Sequence, residues 1–252
     1  MMKEIKYKRI IKIFFLVILF GIIYILNPYK IEYYGYQNKI MAHRVNSLEK
    51  LKYTEKVYNG VELDLVYDET NKVFDINHPP APSIGLNLET YLSYLSNKDI
   101  KLWLDFKNLS VDNADESARL LNHLINKSKL KKENVLVESS EIEFLYLFKE
   151  KGFETSFYLP YFLYKQEGLI LTKTIDSLKQ LKEKYVSDGI SADVNNYEIL
   201  NTYFKNDRKF LWDMHSPYSR NQIQHYFDFR KYISDPTVKI ILVKVALPIG
   251  NR

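Results

Sequence analysis

Between residues 39 and 245 the chain alternates short apolar runs with longer amphipathic stretches. The runs lie near 39–43 (KIMAH), 61–66 (VELDLV), 101–106 (KLWLDF), 134–138 (NVLVE), 153–158 (FETSFY), 189–194 (GISADV), 209–214 (KFLWDM) and 239–245 (KIILVKV). Runs of this length that stay apolar on both faces predict strands buried on both sides, as in a parallel sheet. Between them, patterns of helical period fall at 46–57, 87–97, 113–129, 140–151, 172–185, 195–206 and 217–232, several opened by a Ser or Asn suited to capping. Strand and helix alternating through eight strands predict an α/β chain of the (β/α)8, or TIM, barrel class over residues 39–252. An open doubly wound sheet is the rival, but no Gly-rich phosphate loop follows the first strand.

Ahead of the barrel the pattern changes. From Ile10 to Leu26 the sequence reads IIKIFFLVILFGIIYIL, interrupted only by Lys12, and approaches the ~17–25 residues that cross a bilayer. The chain therefore divides into a basic leader (1–9), a transmembrane anchor (10–26), a linker (27–38) whose tyrosines suit the headgroup region, and the barrel. A cleaved signal peptide also begins with a basic segment and an apolar run, but the exit NPYKIEYYGYQ lacks the small-residue pair such cleavage prefers. The basic leader places the N-terminus in the cytoplasm and the barrel outside it, periplasmic or extracellular, on the cell membrane.

Composition alters this picture in two places. The formal net charge is +5, but residues 1–12 carry +4 of it, leaving +1 for the remainder. Charge balance gives no basic surface for nucleic acid, and no basic stripe interleaved with aromatics supplies one. Cysteine is absent, so disulfides, thiolate metal sites and a cysteine nucleophile are excluded and any metal must be held by oxygen or imidazole.

In a parallel barrel, polar side chains at the C-terminal ends of the strands face a common pocket. His43 and Arg44 end the first strand, Glu62 and Asp64 lie on one face of the second, and Asp105 and Lys107 share a face at the end of the third. Carboxylates set in VELDLV and LWLDF are costly to bury unless a cation meets them. Three that converge would repel one another unless a divalent ion neutralised them, and all-oxygen ligation suits Mg2+ or Ca2+. The structural alternative is that each forms a salt bridge with Arg44, Lys101 or Lys107. His78 follows in FDINHPP, where two prolines fix an extended loop. Imidazoles near acidic partners can accept and donate protons near neutral pH. His123 and His225, inside helical patterns, read as structural. Trp212 and Asp213, at the end of the seventh run, are weaker pocket candidates; Tyr158 and Tyr161 could join Trp212 in an apolar wall but read as packing residues.

The pattern His43-Arg44, Glu62-x-Asp64, His78, Asp105-x-Lys107 resembles the glycerophosphodiester phosphodiesterase family, most clearly over residues 39–110. Val45 stands where that family has Gly, and Asp105 where it has Glu. AHRVNSLEKL, the NHPP loop and LWLDFK are also similar to the menorin-like branch of the same phospholipase-C-like barrel superfamily. The resemblance implies a phosphoric diester hydrolase, with Glu62, Asp64 and Asp105 holding the metal, Arg44 and Lys107 binding phosphate oxygens, and His43 and His78 as acid and base. Its substrates would be glycerophosphodiesters, phospholipid headgroups or a phosphodiester-containing surface polymer. Two other functions stay open: a barrel that binds without turnover, and a lyase that stops at a cyclic phosphate.

Overall fold

The structure, a computed structural model, describes residues 2–26, 30–215 and 221–245, with side chains of the first helix described over 7–21. Met1 of the leader, residues 27–29 of the linker, the start of the helix predicted at 217–232, and residues 246–252 of the barrel domain lie outside the described residues.

Eight parallel strands close into a barrel: β1 (Ile40–His43), β2 (Gly60–Asp68), β4 (Lys101–Phe106), β5 (Val135–Ser139), β6 (Glu154–Tyr158), β7 (Gly189–Asp193), β8 (Lys209–Asp213) and β9 (Val238–Lys244). All eight predicted runs are present. β1 closes the ring by pairing with β9 on one side and with β2, through Ala42 and Val61, on the other. Helix α1 (Met2–Leu26) precedes the barrel. The helices α2 (Leu48–Thr54), α3 (Leu88–Ser93), α4 (Ala114–Ser128), α5 (Leu145–Lys149), α6 (Gly168–Lys184), α7 (Tyr197–Tyr203) and α8 (Gln222–Ser234) connect the strands. The staves are nearly all buried, with Val61, Leu63, Leu104, Ala192, Leu211 and Ile241 showing no exposure. They pack so closely at the start of β7 that a Cβ on Gly189 would lie 2.6 Å from the Arg208 carbonyl oxygen.

One strand was not predicted. β3 (Val73–Ile76) pairs antiparallel with the far end of β2, Leu65 opposite Ile76 and Asp68 opposite Val73. Its turn is built by Asp68, whose Oδ1 accepts from the amides of Thr70 and Asn71 at 2.9 and 3.0 Å. This hairpin carries the chain back over the mouth, where the Asn77 amide donates to the Asp64 carbonyl (3.2 Å). His78 is thereby placed directly beyond the acidic strand. A bond from Ser83 Oγ to Asp75 (2.7 Å) ties the following loop to the same hairpin.

The described part of the linker also differs from expectation. Tyr33 packs on Phe229 of α8 with ring centroids 5.2 Å apart. Arg230 donates to the carbonyls of Glu32 (3.2 Å) and Tyr34 (2.7 Å) and lies over the Tyr36 ring. Two of the tyrosines assigned to the headgroup region are thus engaged by the barrel, because α8 offers both an aromatic face and a guanidinium. Among the described residues no helix is long and apolar enough to cross a membrane.

Candidate active site

The end of β1 is bent sharply. Arg44 adopts a left-handed backbone (φ 53°), a conformation costing a non-glycine residue about 1 kcal/mol or more. Four hydrogen bonds hold it there. The Arg44 amide donates to Glu62 Oε2 (2.6 Å) and the Val45 amide to the Glu62 carbonyl (2.7 Å). Lys50, in the first turn of α2, donates to the carbonyls of His43 (2.7 Å) and Arg44 (2.8 Å). The bend brings consecutive side chains, His43 and Arg44, to one cavity.

That cavity, of about 340 Å3, is lined by His43, Arg44, Glu62, Asp64, His78, Asp105 and Lys107, together with Glu138, Tyr158, Tyr161, Trp212, Met214 and Leu242. All seven residues assigned to catalysis, metal and phosphate are brought together. Strand register explains the convergence: Asp64 pairs with Asp105 and Asp105 with Glu138, so three neighbouring staves present carboxyl groups at one level. Glu62, on the same face of β2 as Asp64, joins them: Glu62, Asp64 and Asp105 each offer an oxygen within 4.8 Å of the others.

The electrostatics of this cluster favour a divalent cation. Burial, then the charges of Asp64 and Asp105, push the Glu62 carboxyl well above its ordinary range despite the Arg44 amide. Burial likewise raises Asp105; Lys107 opposes the rise and Asp64 adds to it. Lys107 bridges Asp64 Oδ1 (2.8 Å) and Asp105 Oδ2. Burial works against its ammonium, but these two carboxylates outweigh burial and hold its pKa above the usual lysine value. The salt-bridge alternative therefore accounts for Asp64 and Asp105. It leaves Glu62 Oε1 buried with no hydrogen-bond partner. A divalent ion shared by all three carboxylates would satisfy that oxygen, so the donor set fits Mg2+ or Ca2+.

The two imidazoles sit in different surroundings. Burial, reinforced by the charge of Arg44, lowers His43 to about 3, so it is neutral over the working range. Its Nε2 lies 3.5 Å from Glu62 Oε2, beyond a good hydrogen bond. His78 Nε2 is 2.9 Å from Arg44 NH2. A guanidinium can only donate, so Nε2 is the accepting nitrogen in this arrangement.

Three contributors escaped the sequence reading. Asn46 clamps Asp64, donating from Nδ2 to Oδ2 (2.6 Å) and accepting the Asp64 amide at 3.0 Å; the His43-x-x-Asn46-Ser47 spacing held its signal. Tyr158, read as a packing residue, stacks on Trp212 with centroids 5.0 Å apart and planes at 13°, and the pair forms one wall of the cavity. Glu138 is buried, accepts from Trp103 Nε1 (2.5 Å), and keeps Oε1 without a partner.

Burial, then the neighbouring Asp105, raises Glu138 to about 8. A carboxyl with a raised folded pKa is neutral in both states below about pH 4. Between its unfolded value of about 4.3 and pH 8 the unfolded chain releases the proton and the folded one keeps it, so stability falls as pH rises. Glu138→Gln is expected to remove that loss. Thermal melts should show it more stable than the parent by on the order of a few kcal/mol at pH 8, with the difference closing towards pH 4. Equal melting temperatures at both pH values would show that Glu138 is not held neutral.

Asp213 is not part of this cavity. Side chains alternate along a strand, so Trp212 points into the barrel and Asp213 away from it, towards α8. There Asp213 Oδ2 meets His225 Nε2 at 2.6 Å. His225, read as structural, and His215 stack with centroids 3.7 Å apart. Both line a second cavity, of about 510 Å3, that shares Tyr161 and Met214 with the first.

A closed parallel barrel with an acidic, histidine-flanked pocket at the C-terminal ends of its strands defines the class of protein. No protein-family model matches the chain, and no curated protein matches its sequence. Solved structures match its fold. A glycerophosphodiester phosphodiesterase from Parabacteroides distasonis aligns over 83% of this chain and 94% of its own, with 17% identity and a TM-score of 0.56. A phosphodiesterase from Oleispira antarctica, solved with the product sn-glycerol-3-phosphate, covers 83% and 94%, with 11% identity and a TM-score of 0.54. N-(5'-phosphoribosyl)anthranilate isomerase from Pyrococcus furiosus also matches, covering 81% and 86%, with 12% identity and a TM-score of 0.50. The chain shares the barrel fold of the glycerophosphodiester phosphodiesterases, and its site carries the argument about chemistry.

Proposed function

We propose that this chain is a metal-dependent phosphodiesterase, hydrolysing glycerophosphodiesters or related phospholipid and surface-polymer diesters from a membrane anchor. The observation that carries the proposal is the meeting of Glu62, Asp64 and Asp105 within 4.8 Å, in one cavity with His43, His78, Arg44 and Lys107. The likeness to a phosphodiesterase solved with sn-glycerol-3-phosphate supports the substrate class.

Glu62, Asp64 and Asp105 would hold the ion, which when bound polarises a phosphoryl oxygen and stabilises the charge developing on it. The remaining steps belong to the protein. The Arg44 fork and the Lys107 ammonium bind phosphate oxygens. His43, kept neutral by burial, accepts the proton of the attacking hydroxyl or water, and His78, once its Nε2 leaves Arg44 and is protonated, supplies that proton to the leaving alkoxide. Asn46 holds Asp64 in place throughout. The stacked Tyr158–Trp212 wall excludes water beside the reacting group. Residues 30–252 should cleave a chromogenic phosphodiester with added Mg2+ or Ca2+, and phosphorus NMR should show an acyclic monoester. A cyclic phosphate that persists would make the protein a lyase; no turnover with either ion would reject the enzyme.

The anchor rests on the apolar run Ile10–Leu26 of the sequence, which lies on helix α1 (Met2–Leu26). Its described apolar side chains from Ile10 to Phe20 are all exposed, and a bilayer would cover them. On fractionation the full chain should remain with the membrane after high salt, and its mature N-terminus should be residue 1 or 2. Recovery in the soluble fraction, or a new terminus near residue 27, would reject the anchor.

A further inference from the structure

The described part of the linker is bound along the whole length of α8. At its far end Lys39 Nζ donates to the carbonyls of Ile233 (2.8 Å) and Asp235 (2.9 Å), where that helix finishes. In the middle Tyr33 packs on Phe229, Arg230 holds the carbonyls of Glu32 and Tyr34, and Glu32 is buried. At its near end Lys30 shares a recess with Gln222, the first residue of α8, and with Asp213 and Lys244, the last residues of β8 and β9.

This route reverses what topology alone would give. Strand β1 begins at the end of the barrel opposite the mouth, so a free linker would let that end face whatever holds the N-terminus. Bound along α8, the linker instead starts beside the mouth and descends to β1. Leu26, which ends α1, is four residues before Lys30, and four residues of chain reach at most ~14 Å. A tether at Leu26 therefore acts on the mouth end.

The two ends of the barrel also differ in what they expose. Ile84, Val111, Phe162, Leu169, Ile170 and Ile223 are all strongly exposed. Each lies in a loop that follows a strand, or at the start of the helix which that loop opens, so together they surround the mouth. Residues 79–85 (PPAPSIG), between β3 and α3, are exposed throughout and carry no charge. Lys165 places Nζ 4.3 Å from the centre of the Phe162 ring, a pairing of ring and ammonium suited to the lipid headgroup region. At the opposite end the turns are charged instead, with Lys131, Lys132 and Glu133 before β5 and Asp207 and Arg208 before β8. Apolar residues scattered singly over a surface need no explanation, but these gather at the end to which the tether leads.

We propose that the linker is a strap that turns the barrel mouth towards the bilayer holding α1, with the apolar rim resting among the headgroups so that the catalytic cavity opens onto lipid of the same membrane. The strap is built from the described residues alone; the bilayer as its partner rests on the membrane anchor proposed above.

The chain has no cysteine, so single labels can be placed at exposed positions. Phe162→Cys and Leu169→Cys mark the rim, and Val186→Cys marks the turn before β7 at the other end. Each carries a fluorophore in the full chain, reconstituted into vesicles of phosphatidylcholine and phosphatidylglycerol. A lipid bearing a nitroxide at headgroup depth should quench both rim labels about three-fold more strongly than the third. Arg230→Ala removes two of the bonds that hold the linker to α8 and should roughly halve that ratio. Equal quenching at both ends, in a chain that floats with the vesicles, would overturn the orientation and leave the anchor standing. Rim labels shielded from aqueous iodide yet untouched by the lipid quencher would overturn it as well, since a protein would then cover the rim. An unchanged ratio in Arg230→Ala would overturn the strap. A chain left behind on flotation would reject the anchor and the docking together. Turnover enters none of these measurements, so an inactive chain would reject the enzymatic reading alone.

Discussion

Glu62→Gln and Asp64→Asn are each expected to lower kcat/KM for a phosphodiester by ~10^2–10^4-fold, and a chelator is expected to abolish turnover until Mg2+ or Ca2+ is restored. The size follows from the surroundings of the two carboxylates. Both are almost fully buried and would hold the ion, whose stabilisation of the charge developing in the transition state is worth several kcal/mol, or ~10^2–10^4-fold in rate. The two variants should also differ. Asp64 is held by Asn46 and Lys107, and an amide in its place turns its NH2 towards one of two donors. Asp64→Asn should therefore lose thermal stability as well as activity. At Glu62, Oε2 accepts the Arg44 amide while Oε1 has no partner, so a glutamine can keep the first bond and lose only the metal. Steady-state kinetics with thermal melts in the presence and absence of the ion separate the two effects. Full activity of either variant in chelator would show that the cluster is a salt bridge and nothing more.

The second large effect is expected at the histidines. His43→Ala and His78→Ala should each reduce kcat by ~10^2–10^4-fold, the range typical of lost acid or base catalysis, with a much smaller change in metal affinity. His43 is the cleaner test. Its side chain reaches the cavity from a bend fixed by Lys50 and by backbone amides rather than by the imidazole, and its nearest carboxylate oxygen is 3.5 Å away. Its removal should leave the bend intact. His78 also holds Arg44 at 2.9 Å, so His78→Ala should raise KM for the anionic substrate in addition to lowering kcat. A substrate with a highly activated leaving group should rescue whichever variant has lost the acid. If both variants keep most of the parental kcat, the assigned acid and base are wrong even if the metal site stands.

Much of this arrangement was legible before any coordinates. A strand buried on both faces must be apolar along its whole length, and that is why VELDLV, KLWLDF and KIILVKV stood out with their boundaries nearly right. The same rule made the polar exceptions conspicuous, since a Glu or Asp inside such a run has few explanations besides a charged partner or a site. β3 was missed because its four residues are too short to show a period and because it pairs only with the part of β2 that projects beyond the barrel. Glu138 was missed because a single carboxylate ending VLVES reads as the edge of a strand; its burial depends on the neighbouring stave bringing Trp103 to it. Asn46 is an ordinary amide at a helix start until the register of β1 against β2 sets it on Asp64.

Asp213 shows the limit most clearly. Strand-end position suggested the catalytic mouth, but alternation along β8 turns it outward. Its partner His225 lies twelve residues later on a helix whose facing residues no local pattern could announce. The second cavity is made by such pairs, which is why it had no signature in the sequence.

The most direct measurement is calorimetric titration of the chelated protein with Mg2+ and Ca2+, alongside Asp64→Asn and Glu62→Gln. One ion should bind per chain, and more tightly as pH rises, since burial and the neighbouring carboxylates push the Glu62 carboxyl well above its ordinary range. Either substitution should remove the binding. If the parent chain takes up neither ion, or if both variants bind as the parent does, the three carboxylates do not form a metal centre and the catalytic assignment built on them is contradicted.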